Sequence, residues 1–401
     1  MVKYSYGKRI SERLRLVRRD DGEVFVAQDF ERTNEGLYKH QAMPALVAAA
    51  DVLNHENIVS IIHPPGEWNP ELVWDYCDAG TLENVLTDPH IVGLNNNTRG
   101  VGLLPEGFVW HVALSLLRAL QWLHEGKRDE YSLATNTPGQ LSNKKTRTTT
   151  INEPDWLTIL HRDIRPANLH LQRSKGTETY PAVKLGGFEK CYVSGTVSSN
   201  ADTPAVAMKR PDEDRIQFDV LWQRWANWSQ NGLSTSPRER PYTEGSELFD
   251  LGKILYQMMT GKELPEGDYE ECLVCGRRHI VGDGIEQLPP PSPGDKRLTT
   301  EECLGLTVNI DEVFAPLLEA RAYSFGLCTL VHNLLNQKRK FELRASQVLD
   351  RSWDHFGEWV EQYPDGNIFV DVYDDAHRRL ANAQRLQAKL ILESRGITTE
   401  D

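Results

Sequence analysis

Residues 159–171 read ILHRDIRPANLHL, and the prediction of the fold depends on this stretch. It places a carboxylate at Asp163 and an amide at Asn168, with the cationic side chain of Arg165 between them. Apolar residues flank the polar ones on both sides, which predicts a loop between two short strands. Carboxylate and amide oxygens hold divalent metal ions and a nearby cation holds phosphate, so these residue types are compatible with phosphoryl-transfer chemistry.

The bulk composition is that of an acidic globular protein. The chain has 401 residues, of which 39% are hydrophobic and 26% are charged, and its formal net charge is −13. This length suits one large bilobal domain or two smaller ones. The negative charge argues against a general binder of nucleic acids or membrane surfaces, but it is compatible with a local basic patch.

The expected compartment follows from the apolar pattern and the cysteine content. No apolar run approaches the roughly 20 residues of a membrane span. The polar start, MVKYSYGKRISERLRLVRR, has no signal-peptide core. Six cysteines in a chain of this length do not indicate a disulfide framework. We therefore expect an intracellular protein, cytoplasmic or nuclear, with reduced thiols and with neither membrane nor nucleic acid as a partner.

Hydrophobic periodicity predicts the elements around the loop. Two short strands meet at an Asp-Asp-Gly turn over 20–22, and an Ala- and Leu-rich helix spans 42–53. A buried helix spans 108–124. A second apolar helix, SELFDLGKILYQMMT, ends at Gly261. The predicted order is therefore a strand pair, a helix, further strands, a long apolar helix, a polar loop, a strand, a long loop, an apolar helix and more helices.

This order, together with five motifs, resembles the protein kinase fold. HRDIRPANL is similar to the kinase catalytic loop, and HENIV is similar to the turn after the regulatory helix. ELVWDYCDAGTLENVL resembles the last small-lobe strand with its hinge, and LLNQKRKFELRASQVL resembles the closing helices. SELFDLGKILYQMMTG resembles the buried anchor helix, with Glu247 where an aspartate is usual. The resemblance implies an α+β, bilobal protein-kinase-like fold with a small β-rich N-lobe and a larger α-helical C-lobe.

The resemblance also divides the chain. We expect an N-lobe over 1–75 and a C-lobe over 76–350, followed by a C-terminal helical extension over 351–401. Within the C-lobe, the polar stretch 127–158 is interpreted as an insertion, since it shows no hydrophobic period. Residues 187–243 form an activation-type segment that is longer than usual.

The resemblance implies roles for the polar residues of the loop. Asp163 would orient an acceptor hydroxyl, Asn168 would bind a metal ion, and Arg165 would lie near the transferred phosphate. An alternative is that Asp163 and Asn168 only brace the loop by hydrogen bonds. Three losses elsewhere in the sequence favour this vestigial role.

The first loss is the lysine that binds phosphate. Aligning the VA of EVFVAQDF with the family's V-A-I-K puts Asp29 at the lysine position, and a one-residue slip puts Gln28 there. The glutamate partner on the regulatory helix is replaced by Leu46. Both halves of the ion pair are therefore missing together, and an aspartate would repel phosphate.

The phosphate loop and a metal ligand are lost as well. The glycine-rich loop keeps only Gly7, while Arg9 and Glu12 replace its other glycines. Glycine is needed there because backbone N–H groups must approach the phosphates closely. In KLGGFEK, residues 184–190, the family's D-F-G aligns with GFE, so Gly187 stands where the metal-binding aspartate is expected. We therefore expect little catalytic charge stabilisation.

Other residues of the expected nucleotide cleft keep their places. Trp74 falls at the back of the pocket, and the hinge residues Asp75 and Cys77 follow it. In some kinases a cation from the phosphate loop replaces the strand lysine. The candidates for such a rescue are Lys8, Arg9, Arg13 and Arg15.

A separate cysteine pattern has the spacing of zinc ligands. Cys272 and Cys275 form a CxxC, His279 follows them, and Cys303 lies further downstream. A second CxxC is missing, so ordinary reduced thiols are favoured over a zinc site.

Two main hypotheses from different classes follow. The favoured one is a pseudokinase that acts as a binding or scaffold module for an unidentified protein partner and needs no cofactor. The alternative is an atypical Ser/Thr-type protein kinase that transfers the γ-phosphate of ATP, with magnesium, to a protein hydroxyl. A kinase-fold enzyme with different transfer chemistry is a third option. Nucleotide binding with and without magnesium separates the first two.

Overall fold

The structure is a computed structural model that describes most of the predicted elements. The described residues are 4–10, 12, 14–29, 55–63, 71–88, 104–132, 146–152, 155–173, 180–197, 205–207, 223, 242–264, 268–271, 278–281, 308–309, 323–335 and 344–362. The predicted helix over 42–53 and the C-terminal extension beyond residue 362 lie outside them. Among the helices within them, none is both long and apolar enough to cross a membrane.

A five-stranded antiparallel sheet lies at the start of the chain, in the order β1-β2-β3-β5-β4. Its strands are β1 (Tyr4–Arg9), β2 (Leu14–Arg19), β3 (Val24–Asp29), β4 (Ile61–His63) and β5 (Glu71–Asp75). Gly22 has a φ of 93° in the turn between β2 and β3, a conformation that glycine adopts without strain. The predicted pair of strands around this turn is confirmed.

Helices form most of the core beyond the sheet. Those of the described residues are α1 (Leu82–Thr87), α2 (Glu106–Glu125), α3 (Glu244–Thr260), α4 (Phe325–Leu335) and α5 (Ala345–Gln362). Helix α2 packs against α3 and α5 and is buried on nearly every face, as expected for a helix that is apolar all round. Gly261 ends α3 with a φ of 70°, which confirms the predicted C-cap.

The stretch predicted to lack periodic structure contains a hairpin. Strand β6 (Lys127–Ser132) pairs with β7 (Thr146–Asn152). The hairpin escapes an analysis of hydrophobic alternation because its residues are mostly polar. The run of threonines in β7 was the available signal, since β-branched residues favour strands.

Short strands flank the loop over 161–168. Strand β8 (Leu157–Leu160) precedes the loop, and β9 (Leu169–Gln172) follows it. Strand β9 pairs with β10 (Ala182–Leu185), and β8 pairs with β11 (Tyr192–Val197). The remaining short strands are β12 (Val206–Ala207), β13 (Tyr242–Thr243), β14 (Asp268–Glu271), β15 (Arg278–Val281) and β16 (Val308–Asn309). The predicted loop between strands is confirmed, and the mixed α/β architecture is compatible with a kinase-like fold.

Candidate functional site

Glu247 of helix α3 anchors the backbone of the predicted catalytic loop. One of its carboxylate oxygens accepts the backbone N–H of Arg162 at 2.7 Å, and the other lies 2.6 Å from Nε2 of His124. Arg162 has a φ of 65°, which is uncommon for a residue other than glycine. Such a conformation persists only where neighbouring groups hold it. The anchor-helix glutamate noted in the sequence thus fixes the entry to the loop.

The ion pair between His124 and Glu247 is completely buried, with both side chains 0% exposed. Burial disfavours the charged imidazole, but the hydrogen bond and the charge of Glu247 outweigh burial and raise the pKa of His124. His124 was not among the residues predicted from the sequence. Its position in the last turn of a buried helix was the only signal, because a buried histidine there needs a partner.

His161 braces the loop at a second point. Its Nε2 lies 2.9 Å from the carbonyl oxygen of Gly186, and its Nδ1 lies 3.3 Å from the backbone nitrogen of Asp163. Burial lowers the pKa of His161, so the ring is neutral. The carbonyl can only accept, so Nε2 carries the proton and donates it, while Nδ1 accepts from the backbone N–H. The Phe188 ring packs edge-on against this imidazole, with centroids 4.6 Å apart.

Donors from this chain engage both carboxylate oxygens of Asp163. Oδ2 accepts Nδ2 of Asn168 at 3.0 Å and lies 3.4 Å from Nε of Arg165. Oδ1 lies 3.0 Å from Nζ of Lys190, in the segment after the phenylalanine. The structure therefore brings the three predicted loop residues together and adds Lys190, which the sequence analysis missed. A hydroxyl that approached Oδ1 would compete with the lysine.

Asn168 fills the space beside Gly187. A Cβ built at Gly187 would lie 2.5 Å from both Cγ and Oδ1 of Asn168, far closer than carbon atoms approach without contact strain. Gly187 also has a left-handed φ of 79°. The same Asn168 amide donates to the Asp163 carbonyl oxygen at 2.7 Å, which holds it in this place. The position expected to supply a metal-binding carboxylate thus has no room for one while Asn168 keeps these hydrogen bonds.

Gln28 is the β3 residue whose side chain reaches Glu189, in the segment that follows strand β10. Its Nε2 donates to Oε1 of Glu189 at 2.7 Å, and its Oε1 accepts the indole N–H of Trp74 at 2.9 Å. Trp74 lies opposite Val26 in the sheet, so Gln28, two residues along, shares its face. The side chain of Asp29, the other residue proposed for the lysine position, lies outside the described part of the chain. A neutral amide therefore links the sheet to Glu189.

The predicted hinge residue Asp75 forms an ion pair with strand β10. Oδ2 of Asp75 lies 3.0 Å from Nζ of Lys184, so the hinge carboxylate already has a cation. Burial raises the pKa of the Cys77 thiol to about 12, which keeps it protonated and inert. The rings of Trp74 and Phe188 stack with centroids 6.3 Å apart. An apolar connection therefore runs from the sheet to the loop histidine.

The remaining predicted site residues are not gathered at this centre. Gly7 lies on the edge strand β1, where a Cβ would approach the Leu16 carbonyl oxygen to 3.1 Å. Of the zinc candidates only His279, on β15, is described, and the three cysteines lie outside the described residues. Within those residues, no group of three or more His, Cys, Asp or Glu side chains could hold a metal ion.

Two known proteins are similar to this chain in sequence. The "G2-specific protein kinase nimA" of Emericella nidulans is 26% identical over 183 residues, which are 43% of this chain and 23% of that protein. The "Probable serine/threonine-protein kinase nek2" of Dictyostelium discoideum is 26% identical over 178 residues, which are 43% of this chain and 32% of that protein. No family model matches the chain. The chain thus spans less than a third of either relative, and both matches support the presence of a protein kinase-like domain.

Proposed function

We propose that this chain is a binding or scaffold module built on a protein kinase-like domain, with weak or no phosphoryl transfer. The proposal depends chiefly on the contact between Gly187 and Asn168. In the protein kinase family, which this chain resembles, a carboxylate at position 187 would hold a metal ion, but here the Asn168 amide fills that space. The donor set of this site therefore does not fit a magnesium ion.

Two further contacts support the same conclusion. Gln28 places a neutral amide against Glu189, so this part of the cleft carries a net negative charge where phosphates would need a cation. Lys190 supplies a positive charge, but its ammonium is paired with Asp163. The electrostatic stabilisation that phosphoryl transfer requires is thus weak at several points at once.

The alternative is an active Ser/Thr-type protein kinase that uses ATP and magnesium. One observation favours it: Asp163 and Asn168 remain 3.0 Å apart in a well-anchored loop, as a working catalytic loop would need. The names of both relatives also describe them as protein kinases. Under this alternative Lys190 would release Asp163 when the acceptor hydroxyl binds.

Nucleotide binding and phosphate transfer distinguish the two functions. The thermal midpoint of the full chain would be measured with ATP alone and with ATP plus magnesium, and transfer to a mixture of acceptor proteins would be followed in parallel. We expect no magnesium-dependent rise of the midpoint and no transfer above that of Asp163→Ala. A magnesium-dependent rise, together with transfer that Asp163→Ala abolishes, would establish the alternative.

A further inference from the structure

The charge of the chain is distributed very unevenly. The first 19 residues contain seven lysines and arginines and one acidic residue, a net charge of +6, so the rest of the chain carries −19. Most of these basic residues lie on strands β1 and β2. We call these two strands, together with the described residues between them, the β1–β2 ribbon. A local reversal of sign this large indicates a surface with a partner of opposite charge.

The ribbon is also exposed and partly apolar. Strand β1 is solvent-exposed at every residue after Tyr4, and it is an edge strand of the described sheet. Tyr6 is 62% exposed and Ile10 is 51% exposed, so two large apolar side chains lie among the cations. Aromatic and apolar groups surrounded by charge are typical of docking surfaces.

The pairing of the two strands places like charges together. Arg9 lies directly opposite Arg15, and charges of the same sign in this arrangement destabilise a sheet. The guanidinium of Arg15 lies over the ring of Tyr6, 4.9 Å from its centroid, which presents an arginine and an aromatic ring as one unit. An anionic partner would relieve the repulsion between the arginines.

Arg15 does not lie on the cleft side of the sheet, although it is one of the cations that could have replaced the missing phosphate-binding lysine. Arg15 lies opposite Ala27, while Trp74 lies opposite Val26. Successive strand residues face opposite sides of a sheet, so Arg15 lies on the face away from Trp74 and Gln28. Its charge therefore lies on the opposite face of the sheet from the Gln28 side chain that binds Glu189.

We propose that the β1–β2 ribbon is a docking site for an extended acidic segment of a partner protein. An exposed edge strand can accept a further strand through backbone hydrogen bonds, and its side chains then select the sequence. Glutamates or aspartates of the added strand would meet Lys8, Arg9 and Arg15. The inference rests on the proposed binding role, because it gives that role a surface and a class of partner.

A protein segment suits the ribbon better than a nucleic acid does. A strand of six residues is about 20 Å long, which matches a short peptide. A long nucleic acid would extend beyond this length and meet a chain that is otherwise strongly acidic. Charge complementarity therefore favours a short anionic ligand.

Fluorescence anisotropy on the full chain tests the proposal. The probe is a labelled short peptide in which glutamate alternates with valine, and the comparison probes are the same peptide with lysine for glutamate and a short DNA duplex. We expect binding of the glutamate peptide that weakens as salt rises from about 0.05 to about 0.5 M. The variant Lys8→Glu/Arg9→Glu changes two exposed side chains that the added strand would meet and should weaken this binding about tenfold or more.

A variant with the same change of net charge serves as the control. Lys262→Glu/Arg351→Glu alters two exposed residues far along the chain and should bind the glutamate peptide as the wild type does. Thermal midpoints of both variants would confirm that they fold. No binding of the glutamate peptide, equal loss in both variants, or tighter binding of the duplex through the ribbon would overturn the inference. Phosphate transfer dependent on Asp163 would instead overturn only the proposed function.

Discussion

Replacing Gly187 by alanine tests whether Asn168 occupies the position of the missing carboxylate. The Cβ of the alanine would lie 2.5 Å from Cγ of Asn168, so the amide must move. Gly22 provides a matched control. It also has a left-handed φ, 93° against 79° at Gly187, but nothing lies within 4 Å of its Cβ position. Alanine at Gly22 therefore introduces the backbone strain without the contact.

The expected losses of stability follow from the backbone strain and from the contact with Asn168. A left-handed conformation costs a residue with a Cβ about 1–2 kcal/mol, so Gly22→Ala should lower the free energy of unfolding by that amount. Displaced Asn168 would also give up its bonds of 2.7 Å to the carbonyl oxygen and 3.0 Å to the carboxylate of Asp163. Two such bonds, one of them to a charged group, contribute about 2–4 kcal/mol. Gly187→Ala should therefore cost about 3–6 kcal/mol.

Urea unfolding followed by tryptophan fluorescence measures both variants against the wild type. The informative quantity is the difference between Gly187→Ala and Gly22→Ala, because the backbone strain cancels. An equal loss in both variants would show that Asn168 does not hold this space, and the argument against a metal ligand at position 187 would fail with it.

The cleft hydrogen bonds, the buried ion pair and a buried thiol give three further tests. Gln28→Ala should lower the free energy of unfolding in urea by about 2–3 kcal/mol. The double variant with Glu189→Ala should lose about 1 kcal/mol less than the sum of the two single variants, and strict additivity would contradict the hydrogen bond between these residues. Because the fold raises the pKa of His124, its stabilisation is complete below the unfolded value of 6.5 and is lost as pH rises through the folded pKa. The urea midpoint should therefore fall with rising pH more steeply in the wild type than in Glu247→Gln. This substitution should itself lower the free energy of unfolding by about 3 kcal/mol. Parallel pH profiles of the two proteins would refute the argument. Burial raises the pKa of the Cys191 thiol to about 12, so iodoacetamide at about pH 8 should alkylate it in urea and not in the folded protein, as peptide mass mapping would show; labelling of the folded protein would contradict its burial.

Periodicity and turn chemistry were sufficient to predict the elements that frame the site. The helices around 108–124 and before Gly261 show a strong apolar pattern, and a glycine supplies the stop signal of the second. The loop between β8 and β9 was predictable because apolar residues flank it on both sides. These features depend on neighbours along the chain, which the sequence displays directly.

The contacts inside the cleft depend on residues that are far apart in sequence. Gln28 and Glu189 are separated by 161 positions, and no local pattern pairs them. The strand register was also ambiguous, because two polar residues follow each other at the end of β3 and a slip of one residue exchanges the faces of a strand. Lys190 was visible in KLGGFEK, but its pairing with Asp163 depends on how the chain turns after Phe188.

The persistence of a nearly complete catalytic loop has an explanation that does not require catalysis. Asp163 binds Asn168 and Lys190, so its carboxylate ties the loop to the segment after Phe188. The backbone of the loop is in turn held by Glu247, whose buried Oε1 would lose its hydrogen bond if the Arg162 turn were remodelled. Loss of Glu247 would leave His124 buried without its carboxylate, which costs more than the pair contributes, and loss of Asp163 would leave Lys190 without its carboxylate. Asp163 and Asn168 thus have structural roles in the loop, and their presence alone does not indicate that phosphate is transferred.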